Sequence, residues 1–169
     1  IGSQVVQYPF TLGHECAAAV ERVGTAVRHL QPGDRVAVDP AMHCGECDQC
    51  RLGRPHTCRK LRFLGCPGQA EGCLSERLVM PAHCCLRLDD KMSAGQGALS
   101  EPLAIGLYAA RGALPLKGAR VGVLGCGPIG LSVIRCAQLL GAGEIYAADP
   151  LDYRRRAAQA AGAHWTGRP

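Results

Sequence analysis

Four cysteines spaced Cys44-x2-Cys47-x2-Cys50-x7-Cys58 form the densest group of chemically capable side chains in the chain. Together they offer four thiolates, the ligand set that closes a tetrahedral zinc site. Gly45 between the first pair, and Gly53 and Pro55 before the last, supply the turns such a lobe needs. A site closed by four thiolates has no open position, so the expected metal holds the fold together and does no chemistry. A disulfide cluster or a set of free core cysteines would use the same residues.

A second constellation is Gly125-Cys126-Gly127-Pro128-Ile129-Gly130. As a bare G-x-G-x-x-G it is a weak pattern, but here a strand-like run precedes it, a helix-like run follows, and Asp149 closes the next strand. Gly125 permits the tight turn, Gly127 lets the backbone approach a pyrophosphate, and Gly130 lets helix and strand pack closely. Pro128 and Ile129 open the helix, whose N-terminus favours phosphate. Asp149 is placed to accept hydrogen bonds from the adenosine ribose and to repel a 2′-phosphate, which favours NAD over NADP. Arg154, Arg155 and Arg156 act against this, since arginine near the ribose accommodates that phosphate; they also suit a solvated helix face. The third group, Gly13-His14-Glu15, sets an imidazole beside a carboxylate. Alone, such a pair is more often structural than a metal ligand.

The elements that must position these residues fall into two halves. Residues 16–23, 35–38, 74–80 and 83–88 read as short strands, punctuated by Gly24, the Pro32-Gly33-Asp34 turn, Pro81 and Asp89-Asp90. Such a series suggests a β-barrel or sandwich. From Pro102 the pattern becomes helix 103–114, strand 120–124, helix 129–140, strand 144–148 and helix 153–161. That is the start of a parallel sheet, with two strands expected and the first buried on both faces.

The 169 residues suffice for one ordinary domain or two small ones. Hydrophobic residues are 47% and charged residues 20%, a globular balance without a long apolar run. The formal charge of +5 drops by two once four thiolates hold one Zn2+, and the arginines are scattered. Aromatics are only 4%, too few for the stacking face of a nucleic-acid-binding zinc ribbon. Eleven cysteines include seven outside the lobe (Cys16, Cys66, Cys73, Cys84, Cys85, Cys126, Cys136), an odd number set among apolar residues. They read as free packing thiols, and the expected location is the reducing cytoplasm.

Taken in order, Gly13-His14-Glu15 with Gly24, Pro32-Gly33-Asp34-Arg35-Val36, the four lobe cysteines and Gly125 to Gly130 resemble the zinc-dependent medium-chain alcohol dehydrogenase family over essentially the whole chain. Ser100-Glu101-Pro102-Leu103-Ala104 is similar to its polyol branch of sorbitol, iditol and xylitol dehydrogenases and the related threonine dehydrogenases. Ala18 departs from the family motif, which usually has glycine, and an altered turn is expected there. The complete set of lobe cysteines also departs from animal sorbitol dehydrogenases.

The resemblance implies an α/β fold in which a partial GroES-like β-barrel catalytic domain over 1–103 precedes the first half of a Rossmann doubly wound sheet over 104–169. It implies one structural and one catalytic zinc, with His14 and Glu15 as catalytic-zinc ligands and Glu101 as an exchangeable ligand or a holder of water or substrate. Arg154 matches a family position near the adenosine ribose. The implied reaction is transfer of a hydride from a zinc-bound polyol or other secondary alcohol to NAD. The implied partners are a small-molecule alcohol and, in a full-length form, further copies of itself, with neither nucleic acid nor membrane. A first catalytic-zinc cysteine and the proton relay are expected before Ile1, and further strands beyond Pro169. Read so, the chain is an internal fragment with little activity alone; the alternative is a truncated, non-catalytic relative serving as an interaction subunit.

Overall fold

Val36, Ala37 and Val38 are all buried, and around them the first sheet is built. The computed structural model describes residues 6–112 and 115–169. Strand β1 (Ala17–Ala19) lies antiparallel to β2 (Arg35–Val38), which pairs on its other side with β5 (Cys85–Arg87). Two shorter strands, β3 (Ala41–Met42) and β4 (Arg62–Phe63), pair with each other. Between them runs the cysteine lobe, with a single turn of helix, α1 (Asp48–Arg51). Arg35 ties the base of the sheet by donating to the carbonyls of Met92 at 2.6 Å and Asp90 at 2.8 Å. Gly33 takes φ +92° in the expected turn.

The chain divides into two compact units, one ending at Glu101 and the other beginning at Pro102. In the second, β6 (Arg120–Leu124), β7 (Glu144–Ala148) and β8 (Trp165–Gly167) form a parallel sheet in that order. Helices α3 (Pro128–Leu139) and α4 (Asp152–Ala160) connect them. Val123, Cys126, Ile134, Ala137, Ile145, Ala147, Ala158 and Ala163 make its core. Among the described residues, no helix is long and apolar enough to cross a membrane.

Several expectations need correction. The strand expected over 16–23 shortens to β1, because β2 offers only Arg35, Val36 and Ala37 as partners. Ala18 sits in that strand opposite Val36, so there is no turn for it to alter. Residues 74–80 form no strand, and Leu74 and Val79 are exposed; with no ladder partner among the described residues, propensity alone does not make a strand. The expected strand 83–88 begins with a 3-10 turn, Ala82–Cys84.

The helix expected from Leu103 instead starts nine residues earlier, as α2 (Ala94–Gly112), and runs through the buried Pro102. Ser93 and Gln96 form a capping box there: Gln96 N–H donates to Ser93 Oγ at 3.2 Å, and Ser93 N–H donates to Gln96 Oε1 at 2.8 Å. The expected end at Leu114 lies outside the described residues. The parallel sheet has a third strand, β8, too short to show periodicity. Strand β6 is not buried on both faces: it lies at the sheet's edge, and Leu124 is 89% exposed.

Candidate functional site

The lobe brings Cys44, Cys47, Cys50 and Cys58 together with their sulfurs all within 4.8 Å of one another. Cys47 Sγ lies 3.5 Å from Cys50 Sγ and 3.9 Å from Cys58 Sγ, and Cys44 Sγ is 3.5 Å from Cys58 Sγ. A disulfide would need about 2.05 Å. Four thiolates at about 2.3 Å from a tetrahedral zinc stand about 3.8 Å apart, so the spacing fits zinc, and all four cysteines are free. Backbone amides support negative sulfur: Cys44 N–H and Lys60 N–H each donate to Cys58 Sγ at 3.3 Å. Amide donors from Arg59 and Cys50 hold the Cys47 thiol down to about 6, while burial pushes Cys50 up to about 12. Outside the sulfur cluster, Arg59 grips Asp48 through two hydrogen bonds and Lys60 meets Glu46 at 2.6 Å.

A second convergence joins distant parts of the first unit. His14 and Glu15, just ahead of β1, and Glu101, within α2, place one ligand atom each within 4.8 Å of one another. His14 and Glu101 are half-buried and Glu15 is exposed. Burial pushes the Glu101 carboxyl up; Glu15 and Asp39 add to this, and His14 opposes it. Two carboxylates and one imidazole so arranged would be balanced by a bound cation, and three oxygen and nitrogen donors would leave a fourth zinc position open. The residues present therefore fit a catalytic-type metal. The His14 ring meets Phe63 edge-on, centroids 5.3 Å apart at 69°.

In the second unit, Gly125 takes φ +96° after β6, and Gly127 caps α3 with no side-chain hydrogen bond at that end. The first helical amides there have no intrahelical partner and suit an anion. A Cβ on Gly130 would fall 1.9 Å from Gly125 O, whereas one on Gly127 would meet nothing within 4 Å. Gly130 is thus demanded by packing, and Gly127 borders open space of the kind a pyrophosphate needs. Asp149, at 2% exposure, accepts Cys126 N–H at 2.8 Å and Leu151 N–H at 2.9 Å. Those amides, Leu151's first, hold its carboxyl below the usual range, with Arg154 at 3.7 Å assisting. Arg155 donates to the Asp149 carbonyl at 2.6 Å and pairs with Asp152, while Arg156 is exposed.

Residues 2–90 match the alcohol dehydrogenase GroES-like domain. The chain belongs to the zinc-dependent alcohol dehydrogenase family. It is 39% identical over 159 residues to L-idonate 5-dehydrogenase of Vitis vinifera, covering 94% of this chain and 43% of that protein. It is 37% identical over 163 residues to sorbitol dehydrogenase of Bacillus subtilis (strain 168), covering 96% of this chain and 46% of the relative. Galactitol-1-phosphate dehydrogenase from Escherichia coli has a crystal structure that superposes with a TM-score of 0.87 at 35% identity, covering 95% of this chain and 46% of that one. The chain thus spans less than half the length of these zinc-dependent alcohol dehydrogenase relatives.

Residues around the site escaped the reading of sequence. Phe63 touches His14, and Gly65 and Gly72 pack on the backbone just before it; a contact between residues so far apart leaves no local signal. His43 and His83 stack with ring centroids 4.2 Å apart, and desolvation pushes His83 down. His164 accepts the Ile145 amide at 3.0 Å, and His29 lies 3.1 Å from the Ala82 carbonyl. Burial pushes the Cys16 thiol up to about 12 and the Cys84 thiol up to about 11, against thiolate formation.

Proposed function

We propose that this chain carries the zinc-binding and nucleotide-binding core of a dehydrogenase that oxidises a polyol or other secondary alcohol with NAD. The observation that carries the reading is the convergence of His14, Glu15 and Glu101 into one three-donor cluster, separate from the four-thiolate lobe. When bound, zinc supplies Lewis-acid polarisation of an alcohol and NAD supplies the hydride acceptor. His14 would hold the metal through one ring nitrogen. Glu101 would serve as an exchangeable ligand or would hold a water or the substrate. The chain's relatives support the polyol class, since sorbitol and idonate are both polyhydroxy compounds.

Asp149 supports NAD. Its carboxylate stands just after β7 beside the glycine loop, with Arg154 at 3.7 Å. A carboxylate there accepts from ribose hydroxyls and repels a 2′-phosphate. The domain boundary near 103, the homo-oligomer and the cytoplasmic location are part of the same reading.

The purified chain should carry two zinc equivalents by elemental analysis, and Glu101→Ala combined with His14→Ala should carry one. It should also quench NADH fluorescence at lower concentration than NADPH. A single equivalent in the parent, lost on Cys58→Ser, would leave a structural zinc alone and favour the non-catalytic reading. Tighter NADPH binding would remove Asp149 as the determinant.

A further inference from the structure

The residue before His14 is held almost entirely by backbone. Gly13 has φ +95°. Its carbonyl accepts Cys73 N–H at 2.9 Å, the Leu12 carbonyl accepts Leu74 N–H at 2.9 Å, and the Thr11 carbonyl accepts Gly72 N–H at 2.7 Å. Two glycines press on this short stretch. A Cβ on Gly65 would fall 2.4 Å from Gly13 O, and a Cβ on Gly72 would fall 2.3 Å from both C and O of Leu12. Real side chains do not approach main chain so closely, so both contacts exist only because no side chain is present. The loop that provides them is anchored: Leu64 is 1% exposed, and its amide donates to Pro40 O at 3.0 Å. The same loop begins with Phe63, whose ring meets the His14 imidazole edge-on.

We infer that residues 63–74 are a positioning element for the His14 site, with Gly65 and Gly72 setting the backbone just before His14 and Phe63 setting its ring. The inference rests on the dehydrogenase reading of that site. Gly13 alone leaves the backbone before His14 free to take several conformations. Contact with two glycines and three backbone hydrogen bonds, from Gly72, Cys73 and Leu74, removes that freedom, and an aromatic edge restricts the imidazole's rotation. A ligand held in its binding geometry before the metal arrives loses less freedom on binding. The loop touches no proposed ligand other than His14 in the contacts described above, which makes it a positioning element and not part of the ligand set.

The test is a Co2+ titration of the metal-free full chain, followed by visible absorption. The four-thiolate site reports through sulfur-to-cobalt charge-transfer bands, and the His14 site through the d–d absorption left after the thiolate site's own spectrum, taken from a His14→Ala and Glu101→Ala variant, is subtracted. Phe63→Leu should weaken the His14 site about tenfold, and Phe63→Tyr should restore it to within about twofold of the parent. Gly72→Ala should weaken it at least about tenfold, while both variants leave the thiolate site at parental affinity. The inference is overturned if Phe63→Leu and Gly72→Ala bind Co2+ at the His14 site like the parent. It is equally overturned if they weaken both sites alike, which would mark general loss of fold. A parent that binds Co2+ only at the thiolates overturns the dehydrogenase reading, and this inference with it.

Discussion

Asp149 accepts the amides of Cys126 and Leu151 and lies beside Arg154, so its charge shapes the glycine loop even without nucleotide. Its folded pKa is depressed. Such a group stabilises fully above the ordinary aspartate value of about 4 and loses that contribution as pH falls through the lower folded value. Asp149→Asn should therefore lower the urea midpoint at neutral pH, and the gap to the parent should close as the acid limb is followed downward. The same variant should weaken NADH binding at least about tenfold, since a charge-assisted acceptor is lost. Equal acid sensitivity in both proteins would show that the carboxylate is not engaged as described. Cys58, which accepts two amides, is the sulfur on which the lobe closes. Cys58→Ser should reduce zinc content by one equivalent and leave NADH binding unchanged. At this scale the four cysteines and Asp149 stand out by type and spacing, whereas His14, Glu15 and Glu101 stand out only through the family resemblance. Gly65, Gly72 and Phe63 do not, because their meaning lies in which backbone or ring they meet across the fold.

Helices α2 and α3 approach each other through Gly106, where a Cβ would lie 2.6 Å from Ser132 C and Cβ and 2.8 Å from Val133 N. Two of those atoms are main chain and cannot swing aside, so Gly106→Ala should destabilise by about 1–3 kcal/mol in urea unfolding. Gly122, in β6, has nothing within 4 Å of a Cβ, so Gly122→Ala should stay within about 0.5 kcal/mol of the parent. Similar losses for both would mean that propensity, not the α2–α3 approach, decides. Strands β2, β6 and β7 were readable because dense apolar runs end in glycine, proline or aspartate. The start of α2 was hidden by Gly95 and Gly97, which weaken the helical pattern, although Ser93-x-x-Gln96 carries the capping signal. Residues 74–80 have the strand composition without the ladder, since a strand needs a neighbour as well as side chains.

The whole chain joins two units stabilised by different means. The unit ending at Glu101 contains both candidate metal clusters, and its lobe buries only one residue, Cys58, across the cysteine-rich turn. The unit from Pro102 has a continuous apolar core and the glycine-rich loop, with no candidate metal cluster among its described residues. A ligand raises the stability only of the folded unit that binds it, by about 2.7 kcal/mol at one hundred times its dissociation constant. For a unit of this size, each kcal/mol moves the midpoint by about 4–8 °C. Calorimetry should therefore resolve two transitions with separable responses. Zinc removal by a strong chelator should lower the first and leave the second in place, while NADH at saturating concentration should raise the second by at least about 10 °C and leave the first. One transition that moves as a whole with either ligand would show that the two units unfold as a single cooperative body, and the metal would then be stabilising the nucleotide-binding half as well as its own.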